Sequence, residues 1–223
     1  MTGRLLIVVA VSYLLGSIPF GYLLVQMFRG EDIRKTGSGN IGATNVARSG
    51  SRGLAVATLL LDALKGYAAV AFAFWSAGRG PLRSPFSTGI YESGTQVING
   101  ETVFFVAALA AFVVILGHMF TVWLRFKGGK GVATSAGAFL ALTPQPMLVA
   151  LGLFVLIVAV TRYVSLGSII AGAAFPWCVW WLGPAADTSA LILLLIAASS
   201  LLVILRHKDN IRRLLAGTEH RFR

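Results

Sequence analysis

Apolar runs separated by short polar segments dominate the chain. Runs near 5–27, 54–77, 103–122, 132–145, 147–164, 166–183 and 189–205 each approach the roughly 20 apolar residues that cross a bilayer as a helix. They predict an all-α integral membrane protein with seven transmembrane helices and a single domain, 1–223. The fourth run is short and rich in Gly and Ala, which predicts a segment packed inside the bundle, where small residues let backbones approach. Pro19 falls inside the first run and predicts a kink that neighbouring helices compensate. Pro144 and Pro146 mark the turn after the fourth run, and Gly183-Pro184 the turn after the sixth. No internal repeat and no low-complexity linker interrupts the pattern.

Composition agrees: 57% of the 223 residues are hydrophobic and 12% charged, against roughly a quarter charged in soluble domains. The apolar run after Arg4 continues to Val25 without a cleavage site of small residues, so it is expected to remain as the first span. The single cysteine, Cys178, excludes an internal disulfide and leaves the redox compartment open. The net charge of +11 suggests basic loops at anionic lipid or an anionic substrate, in preference to nucleic acid. Every Lys and Arg except Arg4, Lys65, Arg79 and Arg83 falls after the first, third, fifth or seventh run. By the positive-inside rule the N-terminus is then outside and the C-terminus cytoplasmic. The 78–102 loop faces outward and carries no recognisable site.

Between the third and fourth runs, Arg125-Phe126-Lys127-Gly128-Gly129-Lys130-Gly131 places three cations and three glycines in seven residues. Glycines let the backbone turn its N–H groups on an anion, and a helix starting near Val132 adds the positive end of its dipole. This predicts a phosphate site at the membrane surface. His118, just before it, can orient a substrate or take a proton. After the first run, Thr36–Arg48 is too polar for a span and too rich in Gly and Asn for an ordinary helix. Ser38, Asn40, Thr44 and Asn45 offer hydroxyls and amides, and Arg48 a planar fork for phosphate. The plainer reading is a capped turn with Ser38 or Thr44 as N-cap. No Gly-x-Ser-x-Gly elbow occurs, so Ser38 is read as a donor and not as a nucleophile. Asp62 and Lys65 share one face of the second run and neutralise each other, as a structural pair or at a substrate. After the seventh run, Arg206–Glu219 reads as an interfacial amphipathic helix with His207 and Asn210 on one face and Gly217 as its cap.

Together these segments resemble the bacterial membrane glycerol-3-phosphate acyltransferases that take acyl phosphate as donor. The resemblance runs from Tyr13 to Glu219 in three ordered motifs. The first is Gly37-Ser38-Gly39-Asn40 with Gly42-Ala43-Thr44-Asn45 and Arg48. The second is Gly117-His118 with Phe126-Lys127-Gly128-Gly129-Lys130-Gly131. The third is His207 with Asn210, Arg213, Gly217 and Glu219; Asp62 and Lys65-Gly66 also match. Thr121 stands where the family usually has proline, a change expected to loosen the turn without removing a reactive group.

The resemblance implies a seven-helix, multi-pass enzyme of the bacterial cytoplasmic (inner) membrane with its active site on the cytoplasmic face. It would acylate the 1-hydroxyl of glycerol 3-phosphate from acyl phosphate, giving lysophosphatidic acid for phospholipid synthesis, with no cofactor and no metal. Ser38, Arg48, His118, His207 and Asn210 are the expected catalytic residues. Asn40, Thr44, Asn45, Lys65, Lys127, Gly128, Gly129, Lys130, Gly131 and Glu219 are expected to bind substrate. Lys127, Lys130 and the three glycines would take glycerol 3-phosphate, and Ser38, Asn45 and Arg48 the acyl-phosphate head. The acyl tail would lie between helices in contact with the lipid bilayer, and no nucleic acid is involved. An acyltransferase His-x-x-x-x-Asp pair is absent, because Trp123 and Arg212 stand five residues after the two histidines. A Walker A loop fails because Leu124 occupies its first glycine position. The rival reading is an organic-phosphate membrane transporter, which would place polar groups near the midplane on discontinuous helices.

Overall fold

The computed structural model describes residues 2–77, 91–93, 96–98, 100–183 and 189–222, and among these the chain is almost wholly helical. Helices α1 (Thr2–Ser17) and α2 (Phe20–Arg29) lead through a short 3₁₀ turn, Ile33–Lys35, into α3 (Ala43–Arg48) and the long α4 (Arg52–Ser76). Strands β1 (Tyr91–Ser93) and β2 (Gln96–Ile98) pair antiparallel within the 78–102 segment, a departure from the purely helical expectation. Then follow α5 (Gly100–Met119), a 3₁₀ turn at Val122–Leu124, α6 (Val132–Leu142), α7 (Pro144–Thr161), α8 (Val164–Leu182), α9 (Ala190–Leu205) and α10 (Lys208–Leu215). Arg79, Arg83 and the Pro184 turn lie outside the described residues.

Among the described residues, five helical segments are long and apolar enough to cross a bilayer: Gly3–Arg29, Arg52–Ser76, Gly100–Leu124, Pro144–Thr161 and Val164–Leu182. A sixth appears if α9 and α10, bent by 55° at their junction, count as one. Of the seven expected spans the seventh, α9 taken alone, falls short with 16 residues, and the fourth, α6, falls furthest short. Its 11 residues extend about 16 Å, roughly half the apolar thickness of a bilayer.

The expected kink at Pro19 is a complete break between α1 and α2. The carbonyls it frees are answered from other helices. Thr121 Oγ1 donates to Ser17 O at 2.5 Å, and Lys65 Nζ donates to Ile18 O at 2.7 Å. Thr121, expected to loosen its turn, instead ties that turn to the break and is fully buried there.

Helix α5 forms the centre, packed by α1, α4, α6 and α9, with Phe104, Ile115 and Met119 fully buried. Between helices in lipid, close packing replaces the hydrophobic drive. A Cβ on Gly66 would overlap the Thr134 carbonyl, and one on Gly137 the Ala63 carbonyl, so α4 and α6 touch backbone to backbone. Gly16 and Gly117 do the same for α1 and α5. The small-residue composition of the fourth run is thus the reason α6 docks so closely.

Candidate active site

One cleft is lined by Ser38, Asn40, Thr44, Asn45 and Arg48, by Asp62, by His118, Lys130 and Gly131, and by His207, Asn210 and Glu219. The three polar segments, as far apart in the sequence as Ser38 and Glu219, therefore meet. Asp62 lies ten residues into α4, so the cleft reaches about 15 Å along that helix and is sunk between the helices instead of lying at their tips.

The first wall is built by Asn45, buried on α3. Its Nδ2 group donates to the carbonyls of Ile33 (3.2 Å), Thr36 (3.0 Å) and Asn40 (2.8 Å), and its Oδ1 accepts from Ser38 N at 2.8 Å. Gly37 and Gly39 take φ of 55° and 69°, which any side chain would resist. Asn40 Oδ1 accepts from Gly42 N at 2.9 Å. The amide side chain of Asn45 is thus consumed in holding the loop. Ser38 and Arg48 remain exposed at the cleft, and Arg48 has no ion-pair partner among the described residues. Residues 43–48 are helical despite their composition, and Gly42, not Ser38 or Thr44, stands at the N-cap.

The second wall corrects the expected phosphate nest. Gly128 N donates to Met119 O at 3.1 Å and Gly129 N to His118 O at 3.0 Å, so neither amide is free for an anion. Their carbonyls accept from Arg206: Nη2 to Gly128 at 2.9 Å and Nε to Gly129 at 3.1 Å. Glycine is required here by proximity. A Cβ on Gly128 would overlap the His118 carbonyl, and one on Gly129 the imidazole Nε2. Of the three glycines only Gly131, at φ 83°, adopts the left-handed conformation, and it opens α6 as the N-cap. The start of α6, with Val132 and Ala133 on the cleft, keeps the anion-attracting helix end. Lys127 is exposed and outside the cleft lining.

Lys65 is also outside the lining. Its ammonium pairs with Asp62 Oδ1 at 2.7 Å and donates to the Ile18 carbonyl, so the pair serves the break in the first span. Asp62 reaches the cleft from the other side, with Oδ1 3.6 Å from His118 Nδ1.

The third wall hangs on Glu219, beyond α10. Asn210 Nδ2 and Ser165 Oγ donate to its Oε1 at 2.7 and 2.9 Å, and Arg213 Nε pairs with Oε2 at 2.7 Å. Burial alone would raise this carboxyl, but those three partners outweigh it and hold Glu219 below the ordinary carboxylate range. Asn210 Oδ1 in turn accepts from Lys130 Nζ at 2.5 Å. Burial pushes the Lys130 ammonium down to about 8 against the pull of Glu219. His207 Nδ1–H donates to the Val203 carbonyl at 2.7 Å, which leaves Nε2 as an acceptor. Gly217, at φ 68°, ends α10 as expected. Ser165 and Arg206 were not singled out by sequence; Arg206 was visible only as one basic residue beside His207.

What this arrangement can do is hold anionic groups. Arg48, Lys130, the Ser38 hydroxyl and the start of α6 converge on the cleft, with imidazole and amide groups beside them. Among the described residues no group of three or more His, Cys, Asp and Glu side chains could hold a metal ion.

Residues 6–217 match the family model described as glycerol-3-phosphate acyltransferase. The glycerol-3-phosphate acyltransferase of Geobacter sulfurreducens is 46% identical over 98% of this chain and 97% of its own length. That of Agrobacterium fabrum is 44% identical over 95% of this chain and 88% of its own. A crystal structure of PlsY (YgiH), an integral membrane glycerol 3-phosphate acyltransferase, in its glycerol 3-phosphate form superposes with a TM-score of 0.81. It is 35% identical and covers 98% of this chain and 96% of that one. The lysophosphatidic acid form of PlsY gives a TM-score of 0.78, at 34% identity over 98% of this chain and 95% of that one.

Proposed function

The chain belongs to the glycerol-3-phosphate acyltransferase family, and from that membership we propose that it transfers an acyl group from acyl phosphate to the 1-hydroxyl of sn-glycerol 3-phosphate. The products are 1-acylglycerol 3-phosphate (lysophosphatidic acid) and inorganic phosphate. The observation that carries this reading is the convergence of three distant polar segments on one cationic cleft that continues into an apolar groove. Such a site suits a substrate with a phosphate head and a lipid tail.

Acyl phosphate carries its own leaving group, so the protein's tasks are positioning, charge neutralisation and proton transfer. Arg48 and the Ser38 hydroxyl hold the acyl-phosphate head. Lys130 and the start of α6 hold glycerol 3-phosphate. Asn210 and Glu219 aim Lys130, and His118 and His207 border the reacting atoms. Asn45 acts through the loop it braces. The glycerol oxygen attacks the acyl carbon, the bond from that carbon to the phosphate oxygen breaks, and the departing phosphate takes the hydroxyl proton.

The topology follows the same reading. Helix α6 starts beside Asp62, about 15 Å along α4, so its 11 residues suffice to finish a crossing. With α9 taken as the last of seven crossing segments, the proposed orientation has the N-terminus outside and the cleft at the cytoplasmic face of the inner membrane, in keeping with the positive-inside rule. Single-cysteine labelling from a Cys178→Ser background tests this; a reporter at Ser38 labelled from outside would invert it.

The decisive assay gives purified protein in detergent acyl phosphate and glycerol 3-phosphate. Phosphate release with stoichiometric lysophosphatidic acid is expected. Absence of both overturns the enzyme reading in favour of transport, which requires sealed vesicles to be seen.

A further inference from the structure

The polar cleft has an apolar extension. Leu59, Val132, Ala133, Phe154 and Ser168 border the cleft and also border a second, nearly wholly apolar groove between α4, α6, α7, α8 and α9. Three helices give the same measure of its depth. Along α6 the lining runs from Val132 at the cleft to Phe139. On α7 it runs backwards from Phe154 to Met147, and on α8 from Ser168 to Phe175. Seven residues at 1.5 Å each make about 10 Å in every case.

At that depth the Phe139 and Phe175 rings meet with centroids 4.6 Å apart and an interplanar angle of 46°. Both are almost fully buried and belong to the same packed cluster as Leu142, Val179 and Ile192. Two of the four serines along it turn their hydroxyls back into their own helices, while the Ser135 hydroxyl has no partner among the described residues. Ser168 Oγ donates to Val164 O at 2.9 Å and Ser199 Oγ to Leu195 O at 2.8 Å, each back into its own helix. Gly172, on the lining, has room for a side chain to start: a Cβ there would meet only Ile204 Cγ1, in ordinary contact at 3.9 Å.

We propose that the Phe139–Phe175 pair is the floor of the acyl-chain groove and sets how long a chain is accepted in it. The occupant follows from continuity: the apolar groove and the cationic cleft share part of their lining, so a molecule holding its phosphate in the cleft lays its tail there. A lipid tail gains little by leaving the bilayer for an equally apolar groove. Selection therefore comes from exclusion, because a well-packed aromatic floor does not yield to extra methylenes. A chain longer than the groove must bend back toward the bilayer.

This proposal rests on the acyltransferase reading above, and its test separates the two. A series of saturated acyl phosphates of increasing length is assayed with the intact enzyme in detergent. Phe139→Ala and Phe175→Ala are expected to move the kcat/KM optimum to longer chains, raising the ratio of longest to shortest substrate at least threefold. Gly172→Leu, which fills the groove from the side, is expected to move it to shorter ones. Should an alanine variant fail to fold by its melting transition, Phe139→Leu and Gly172→Leu carry the test. If the unaltered enzyme uses no acyl phosphate of any length, the donor reading is overturned. If it is active and folded variants keep its length profile, the floor proposal is overturned and the donor reading stands.

Discussion

Two glycine-rich segments border the same cleft and use glycine for different reasons. In Gly37–Gly42, the residues at positive φ shape a loop around one buried side chain, Asn45, which saturates the backbone and leaves Ser38 and Arg48 free for a ligand. In Gly128–Gly131, the first two glycines are flat against His118 and have their amides and carbonyls already bonded. Only Gly131 serves a turn. Three glycines in each segment therefore go with an open, cleft-facing loop in one place and a closed backbone spacer in the other. What decides is where the hydrogen-bonding partners come from.

The sharpest way to break the contrast is Gly129→Ala. The added methyl meets the His118 imidazole, and displacement of a reacting-site group by about an ångström costs roughly 100-fold. We expect kcat/KM to fall by at least about that much, in the acyl-phosphate assay, with a depressed melting temperature. A change below about threefold would mean His118 is free to move. Next is Asn45→Ala, which leaves the Asn40 carbonyl and the Ser38 N–H without their partner and takes one donor from each of the Ile33 and Thr36 carbonyls. Unsatisfied buried groups cost about 1–3 kcal/mol each, and water reaching this half-open loop reduces the sum. Thermal unfolding is expected to show destabilisation of about 2–4 kcal/mol, and retention of stability would assign the loop to another brace.

A gentler probe is pH. Lys130, with its ammonium pushed down to about 8, is protonated below that value and loses its charge above it. If Lys130 holds glycerol 3-phosphate as proposed, attraction for it is full at neutral pH and declines as pH rises past about 8. The kcat/KM profile is expected to fall on its alkaline limb there, and Lys130→Arg is expected to remove that limb. His118→Ala and His207→Ala are expected to lower activity and keep it. A limb that vanishes with either histidine, while substrate binding stays normal, would make that histidine the base in place of the departing phosphate. The smallest effect is expected from Thr121→Val, which removes the hydroxyl bonded to Ser17 O. A loss of about 1 kcal/mol by thermal unfolding, with activity changed less than about twofold, would keep this residue structural.

Much of the site was legible because its signals are local. Ser38, Arg48, His118, Lys130, His207, Asn210 and Glu219 stand in polar islands between apolar runs, and the structure brings all of them to the cleft. Lys65, inside the second run beside Asp62, and Lys127, in the glycine-rich island, were equally plausible and lie outside it. The amides of Gly128 and Gly129 were misread for a related reason: glycine permits both a nest and a close contact, and composition does not separate them. The structural work of Arg206, Ser165 and Thr121 had no sequence signal, since each acts on a backbone or carboxylate 50 or more residues away.

The apolar runs, Pro19 and the three short motifs by themselves determined a helical membrane protein, a disturbed first span and the family, because those depend on periodicity, backbone covalency and local sequence. Only the tertiary structure decided that the cleft is sunk about 15 Å along α4 and that α6 is half a span docked by backbone contact. It alone decided which lysine lines the cleft and which one plugs a broken helix. Lys65 and Lys130 are the same residue type, each with its ammonium largely removed from water. Their roles differ because one meets a carboxylate and an orphaned carbonyl, and the other a single amide oxygen at the edge of an open cleft.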